Sequence, residues 1–390
     1  MIRFTTAGES HGRALVSILE GIPAGLPLVA EDVDRELRRR MAGYGRGARM
    51  KIEQDAVEFL SGVRAGETLA SPIALLIWNR DWENWRDVMA PEPDGAEAGA
   101  RRRKVTRPRP GHADLVGSLK YDRSDARDIL ERASARETAA RVACGAVCRR
   151  LLTEFGVEIG SHVVELGPVT APVPDPLPAP LNEVADRSPV RCLDDGAGEA
   201  MVAAIDEATA ARDSLGGVAE VVVRGLPLGL GSHVSWDRRL DGGLAGAVMS
   251  IPAVKGVEVG LGFEAARRPG SKVHDELEPG GTAARGNVTR SSNRAGGLEG
   301  GMTTGEPLVI RAAMKPIATL RRPLKSVNLE SGEPEQAQSE RADITAVPAM
   351  GVVAEAMTAI VLAQAFVEQF GGDSLADTRT AFEAYLARLE

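Results

Sequence analysis

Two histidines sit beside glycine in this sequence: His11 in Gly8-Glu9-Ser10-His11-Gly12, and His112 after Gly111. An imidazole changes charge near neutral pH, so a histidine left uncovered by small neighbours can act as a general acid. On local grounds a tight turn with a surface histidine explains the first segment equally well. A carboxylate completes the set of proton-handling groups. Asp343 lies two residues after Arg341 in Ser339-Glu340-Arg341-Ala342-Asp343. On an extended segment both side chains share a face, and the pairing would keep the aspartate ionised and usable as a base. A solvated surface ion pair is the alternative.

Cations surround these groups in sequence. Residues 39–51 place Arg39, Arg40, Arg46, Arg49 and Lys51 among Gly43, Gly45 and Gly47. Guanidinium forks suit phosphates and carboxylates, and glycines let backbone N–H groups assist. The stretch Arg101–Asp114, RRRKVTRPRPGHAD, holds six cations stiffened by two prolines. Rigid placement lowers the ordering cost of binding through Arg107, Arg109 and His112. No aromatic residue interleaves with these cations, so base-stacking readout of nucleic acid is unsupported. Arg132-Ala133-Ser134-Ala135-Arg136 near a helix start can hold phosphate, or can be ordinary Ala-rich helix. The glycine pairs of NRAGGLEGGMTTG, residues 293–305, would let a flat ring lie against backbone, or form a flexible surface loop; Lys315-Pro316-Ile317-Ala318-Thr319 follows a strand.

Composition bounds the function classes. The 390 residues carry 47 Lys and Arg against 55 Asp and Glu, a net charge of −8. That balance argues against a general nucleic-acid coat. Apolar residues are 43% and charged ones 26%, as in ordinary globular proteins. Phosphate-loop, serine-elbow and zinc-protease motifs are absent from the sequence, and the five histidines lie far apart. Gly260, Gly262 and Ala265 mimic a dinucleotide fingerprint, but Arg267-Arg268-Pro269-Gly270 cuts the following helix short. The three cysteines suggest a reducing compartment, with Cys144 and Cys148 as small core residues. Neither a leader segment nor an apolar run of about 18 residues is read, so a cytoplasmic protein with no membrane partner is expected.

The elements that must position these residues mix strands and helices without a βαβα rhythm, which predicts an α+β fold in a single large domain, 1–390. Helices are predicted over residues 31–41, 125–155, 200–211, 240–250 and 352–370. Strands are predicted over 1–5, 73–78, 217–225, 254–259 and 307–314. Six prolines mark 163–187 as irregular, and 269–304 reads as one long loop.

Six segments in order resemble chorismate synthase: GESHG, RRMAGYGRGARMKIE, TRPRPGHAD, RASARETAARVACG, NRAGGLEGGMTTGEP with KPIAT, and ERAD…VPA. The resemblance implies the single-function bacterial form, a β-α-β sandwich assembled as a homotetramer, with a separate flavin reductase as partner. It implies an anti-1,4-elimination of phosphate from 5-enolpyruvylshikimate 3-phosphate that requires reduced FMN. By resemblance, His11 protonates the leaving phosphate, His112 steadies the reduced flavin, and Asp343 accepts the proton through the flavin. Ser10, Arg46, Arg109 and Arg136 would hold the substrate's anionic groups. FMN contacts would come from Arg132, Ala133, Ser134, Ala253, Gly300, Lys315, Pro316, Ile317, Ala318, Thr319 and Arg341. Arg40 and Arg46 match positions assigned to NADPH. Two positions depart from the pattern: Ala133 stands where many relatives have serine, and Pro252 where an asparagine is common.

Overall fold

The computed structural model describes residues 1–47, 52–92, 103–281, 286–340 and 343–389. Alternation builds its first sheet. In the Ala14–Glu20 strand Leu15, Ser17 and Leu19 point inward while Ile18 is 42% exposed. This strand pairs antiparallel with Arg3–Ala7 on one side and with Ile73–Trp78 on the other, and Glu58–Ser61 closes the far edge. A second antiparallel sheet runs in the order Val254–Val259, Leu308–Met314, Gly217–Arg224, Glu158–Leu166 and Val169–Thr170. Its middle strand, GVAEVVVR, buries Ala219, Val221 and Val223 in the core.

Helices fill the space between the sheets. Thr138–Thr153 lies against Ala14–Glu20 of the first sheet, and Val347–Phe370 lies against Glu158–Leu166 and Gly217–Arg224 of the second. The two helices pack on each other through small residues. A Cβ added at Gly145 would stand 2.4 Å from the Cβ of Ala356, so glycine is what permits the approach. One hydrophobic cluster runs from Ile2 to Phe370 through both sheets and the helix layer. The β-α-β sandwich implied by the resemblance is therefore the observed architecture, of mixed helix and strand.

A buried ionic cluster stitches the layers. Glu355 is fully buried and accepts from both Nη atoms of Arg39, from Arg149 and Arg191, and from Ser161 and Asn182. Burial alone would raise its pKa, but the three guanidinium groups hold it far below the usual carboxylate range. Cys144 and Cys148 are fully buried, as expected of small core residues, and burial pushes the Cys144 thiol up to about 12.

Several expectations are corrected. The helix predicted over 125–155 breaks into Arg127–Leu130, a 3-10 turn at Ala135–Glu137, and Thr138–Thr153. Side-chain propensity loses here to tertiary contacts: Ser10 donates its N–H to the Glu131 carbonyl, and Arg132 grips the carbonyls of Thr6 and Gly8. The longest helix is Val347–Phe370, which starts five residues earlier than predicted and is long and apolar enough to cross a membrane by length and composition. An apolar 18-residue stretch of it is 78% buried inside the protein, which makes it the core helix; alanines and a glutamate hide the run in the sequence. The irregular segment predicted from 163 instead opens with the Glu158–Leu166 strand. The Ala14–Glu20 and Glu58–Ser61 strands and the Leu375–Leu389 helix were not anticipated.

The stretch 269–304 contains two hairpins, Leu277–Pro279 with Val288–Arg290 and Leu298–Glu299 with Met302–Thr303. Its glycine pairs differ in use. Gly297, at φ 80°, would drive a Cβ to 2.6 Å from the Pro307 carbonyl, so it serves close packing against the start of the Leu308–Met314 strand rather than a ring. Gly300, at φ 58°, is open, with only Met302 Cε at 3.9 Å.

Candidate active site

Gly8 lets the chain turn at the end of Arg3–Ala7, and the turn delivers His11 against the broken helix segment. The His11 backbone N–H donates to Glu131 Oε2 at 2.8 Å, and its ring Nδ1 lies 3.0 and 2.9 Å from the two carboxylate oxygens. Arg127 donates from Nη1 to Glu131 Oε1 at 2.9 Å. Burial would raise the pKa of Glu131, yet the hydrogen bond and charge of His11, with Arg127 behind, hold it below the usual range. Trp85 stacks on the imidazole, ring centroids 3.9 Å apart at 24°. The guanidinium of Arg103 lies 4.0 Å from the Trp85 centroid.

His112 is anchored within its own loop. Its Nδ1 meets Asp114 Oδ1 at 2.5 Å. Asp114 is fully buried and also accepts from Arg109 Nε at 2.8 Å, Nη2 at 3.0 Å and backbone N–H at 3.0 Å. Burial opposes ionisation, but the bonds from His112 and Arg109 outweigh it and hold Asp114 far below the ordinary carboxylate range. An ionised carboxylate only accepts, so the proton on this bond sits on His112 Nδ1. Arg109 Nη2, 3.1 Å from that nitrogen, therefore spends its hydrogen on Asp114. Arg109 Nη1 donates to Thr319 Oγ1 at 2.8 Å, and Lys315 Nζ donates to the Gly111 carbonyl at 2.6 Å.

The third group, Asp343, accepts from the Gly47 N–H at 2.6 Å and pairs with Arg46 Nη1 at 3.2 Å. Arg341, expected to pair with it, lies outside the described residues, as do Arg49, Lys51, Arg101 and Arg102. Arg46 supplies a cation that the sequence reading had assigned elsewhere. Behind it stand Arg136 and Arg40. Arg136 Nη1 donates to both Asp55 oxygens at 2.6 and 2.7 Å, and Nε donates to Asn79. Arg40 donates to Thr138 Oγ1 and to the Ala135 carbonyl. Burial pulls its pKa down to about 10; Arg136 and Arg46 add to the effect and Asp55 opposes it. Among the described residues the buried Arg40 Nη1 and Arg136 Nη2 make no hydrogen bond, but each faces a carboxylate, Asp55 Oδ2 at 3.6 Å and Glu53 Oε2 at 3.7 Å. A cavity of about 500 Å³, lined by Asp34, Arg38, Met41, Gln54, Asp55 and Arg80 among others, reaches this cluster at Asp55.

The stations are joined. Arg127 donates to Glu131 and to Glu340, which precedes Asp343 by three residues, while its Nε donates to the Arg103 carbonyl. Gln338 donates its N–H to the Arg107 carbonyl, two residues before Arg109. Glu131, Trp85 and Arg127 were missed by sequence reasoning. Asp114 was quoted within a motif without a role.

A sequence profile described as chorismate synthase matches residues 2–367. The chain belongs to the chorismate synthase family. It is 57% identical over 391 residues to the chorismate synthase of Moorella thermoacetica and 55% over 393 residues to that of Pelobacter propionicus. The alignments cover all of this chain and 100% and 99% of those relatives. A solved structure titled "Crystal Structure of Chorismate Synthase" superposes with a TM-score of 0.79 at 45% identity, over 100% of this chain and 98% of that one. Chorismate synthase is a carbon–oxygen lyase, so the chain is an enzyme of that class.

The remaining positions that chorismate synthase resemblance singled out fall in three places. Lys315–Thr319 borders the His112 station: Lys315 takes its N–H to the Ala253 carbonyl, Ala318 faces Gly111, and Thr319 holds Arg109. Ala253 adopts φ 69°, and Pro316 is exposed. Arg132, Ala133 and Ser134 lie beside the His11 station; Ser134 Oγ accepts the Arg136 N–H at 3.3 Å. Gly300 belongs to a hairpin tied instead to Leu230 and Leu240.

Proposed function

We propose that this enzyme releases phosphate from 5-enolpyruvylshikimate 3-phosphate by anti-1,4-elimination, giving chorismate for aromatic biosynthesis, and that it requires reduced FMN. The observation that carries the reading is the pair of imidazoles, each holding Nδ1 against a buried carboxylate and so keeping Nε2 for work. Two such groups suit a reaction in which one oxygen must be protonated as it leaves and a second centre must be held in one protonation state.

The donor set fits the cofactor. Lys315 at the His112 station, and Arg132 with the Ser134 hydroxyl at the His11 station, would hold its anionic groups, and Gly111 and Ala318 form a low wall beside His112. When bound, reduced FMN supplies electron density to the reacting carbon framework and takes it back. His11 Nε2 gives its proton to the departing phosphate oxygen. His112, fixed by Asp114 through Nδ1, would offer its other ring nitrogen to the cofactor. Asp343 is the terminal acceptor of the proton lost from carbon, with Arg46 beside it. Ser10, Arg46, Arg109 and Arg136 hold the substrate's phosphate and carboxylates. Arg136 must then share its fork with Asp55 and with Glu53, whose Oε2 lies 3.7 Å from Nη2. Arg40 and Arg46 form the NADPH contact, Arg341 joins the FMN contacts, and the whole chain acts as one unit in a cytoplasmic homotetramer fed by a separate reductase.

The test is an anaerobic assay with photoreduced FMN and the enolpyruvyl substrate, following inorganic phosphate. One phosphate per chorismate, only with reduced flavin, is expected. No release, or equal turnover with oxidised FMN, overturns the reading.

A further inference from the structure

We infer that Glu131 is the positioning residue that decides which of the two imidazole protons His11 gives up. The inference rests on the proposed role of His11 as the acid, and adds what selects its reacting atom. A protonated imidazole carries hydrogen on both nitrogens, and either can leave. At His11 the two are unequal. Nδ1 lies 2.9 Å from Glu131 Oε2 and 3.0 Å from Oε1, so its hydrogen is held by an acceptor-only group. The same carboxylate accepts the His11 backbone N–H, which fixes the chain carrying the ring as well as the ring. Trp85 closes the flat side at 3.9 Å, and its own Nε1 donates to Asp81 Oδ2 at 3.2 Å, so the stacked wall is itself tethered. A flip of the ring would take Nδ1 off Glu131.

The proton balance follows. The imidazolium loses its Nε2 hydrogen to the phosphate oxygen as the carbon–oxygen bond breaks. The bonding pair goes to oxygen, and His11 is left neutral with Nδ1–H still on Glu131. Arg127 holds Glu131 in turn through Nη1 at 2.9 Å, and keeps the carboxylate turned toward the ring. Glu131 acts through His11, whose ring and backbone N–H it holds.

The decisive experiment reads the ring directly. Long-range ¹⁵N spectra of wild-type protein, at a pH where His11 is neutral, are expected to show the Nδ1–H tautomer. In Glu131→Ala the Nε2–H tautomer should become the major form. The same variant should lose ~10²-fold in kcat with KM little changed, and Glu131→Asp should recover about tenfold of it. Glu131→Gln, of the same length, replaces the alanine variant if that one fails to fold, and should also lose the strict Nδ1–H preference. An unchanged tautomer in a folded variant overturns the inference. So does wild-type kcat in Glu131→Ala while His11→Ala is slow. Wild-type turnover in His11→Ala strikes at the proposed acid instead, and the spectra still decide whether Glu131 sets the tautomer.

Discussion

The two histidine stations solve the same problem with different reach. His112 takes its carboxylate from two residues away, and Arg109, His112 and Asp114 lie within one hexapeptide. His11 takes its carboxylate from 120 residues away, and its stacking wall from a third segment. A local station comes preassembled by its loop, with prolines limiting the unfolded alternatives. A distant one exists only after the first sheet and the broken helix have packed. The difference teaches where the chain invests its irregularity: the interruption between Arg127–Leu130 and Thr138–Thr153 is what brings Glu131 and Arg132 to the strand end that carries His11.

The largest effects should come from the rings themselves. His11→Ala and His112→Ala are each expected to lower turnover about 10²–10⁴-fold, the usual size for lost acid–base catalysis. Steady-state phosphate release with matched circular dichroism measures it. Unequal losses would sharpen the comparison, and wild-type activity in either would remove that station from the chemistry.

Asp343 belongs to neither station by its contacts, since Gly47 and Arg46 hold it. Asp343→Asn should keep the Gly47 bond and the fold while slowing turnover ~10²-fold. A solvent-isotope and single-turnover comparison with His11→Ala would show whether the two act in one proton inventory. Normal turnover would exclude Asp343 from the relay.

How much of this was legible in sequence follows the same division. The cations and histidine of TRPRPGHAD could be read because the loop contains its own partners. Ile73–Trp78 and Val254–Val259 were read to the residue, because β-branched and apolar runs between turn residues leave little choice. The break after Leu130 was invisible, because RASARETAA has good helix propensity and the forces that unwind it come from Thr6, Gly8 and Ser10. The paired glycines of NRAGG looked ready for a ligand, yet Gly296 and Gly297 are spent on backbone packing. Only the positions of Gly260, Pro307 and Leu308 reveal that.

A smaller effect separates the buttress from the ring. Thr319→Val removes the hydroxyl that Arg109 Nη1 donates to, in a buried place. An unsatisfied donor there costs about 1–3 kcal/mol, so the denaturant midpoint should fall while kcat changes only a few-fold. A drop in kcat as large as that of His112→Ala would mean that Thr319 contributes to the chemistry directly.

The smallest expected effect is an order of events on acidification. Both anchoring carboxylates have folded pKa values below their ordinary ones, Asp114 far below. A depressed carboxylate contributes stability that is fully present above its unfolded value, near 4, and is lost as pH falls through the folded value. Glu131 should therefore protonate first, and the His11 station should loosen at a pH where the His112 station still holds. Protonation also removes an acceptor: a neutral Glu131 cannot serve Nδ1, the His11 N–H and Arg127 together. Ring-proton chemical shifts of the two histidines, followed from pH 6 downward, would show two separated transitions. A single shared transition would mean that the link through Arg127, Glu340 and Gln338 couples the stations tightly enough to open as one unit.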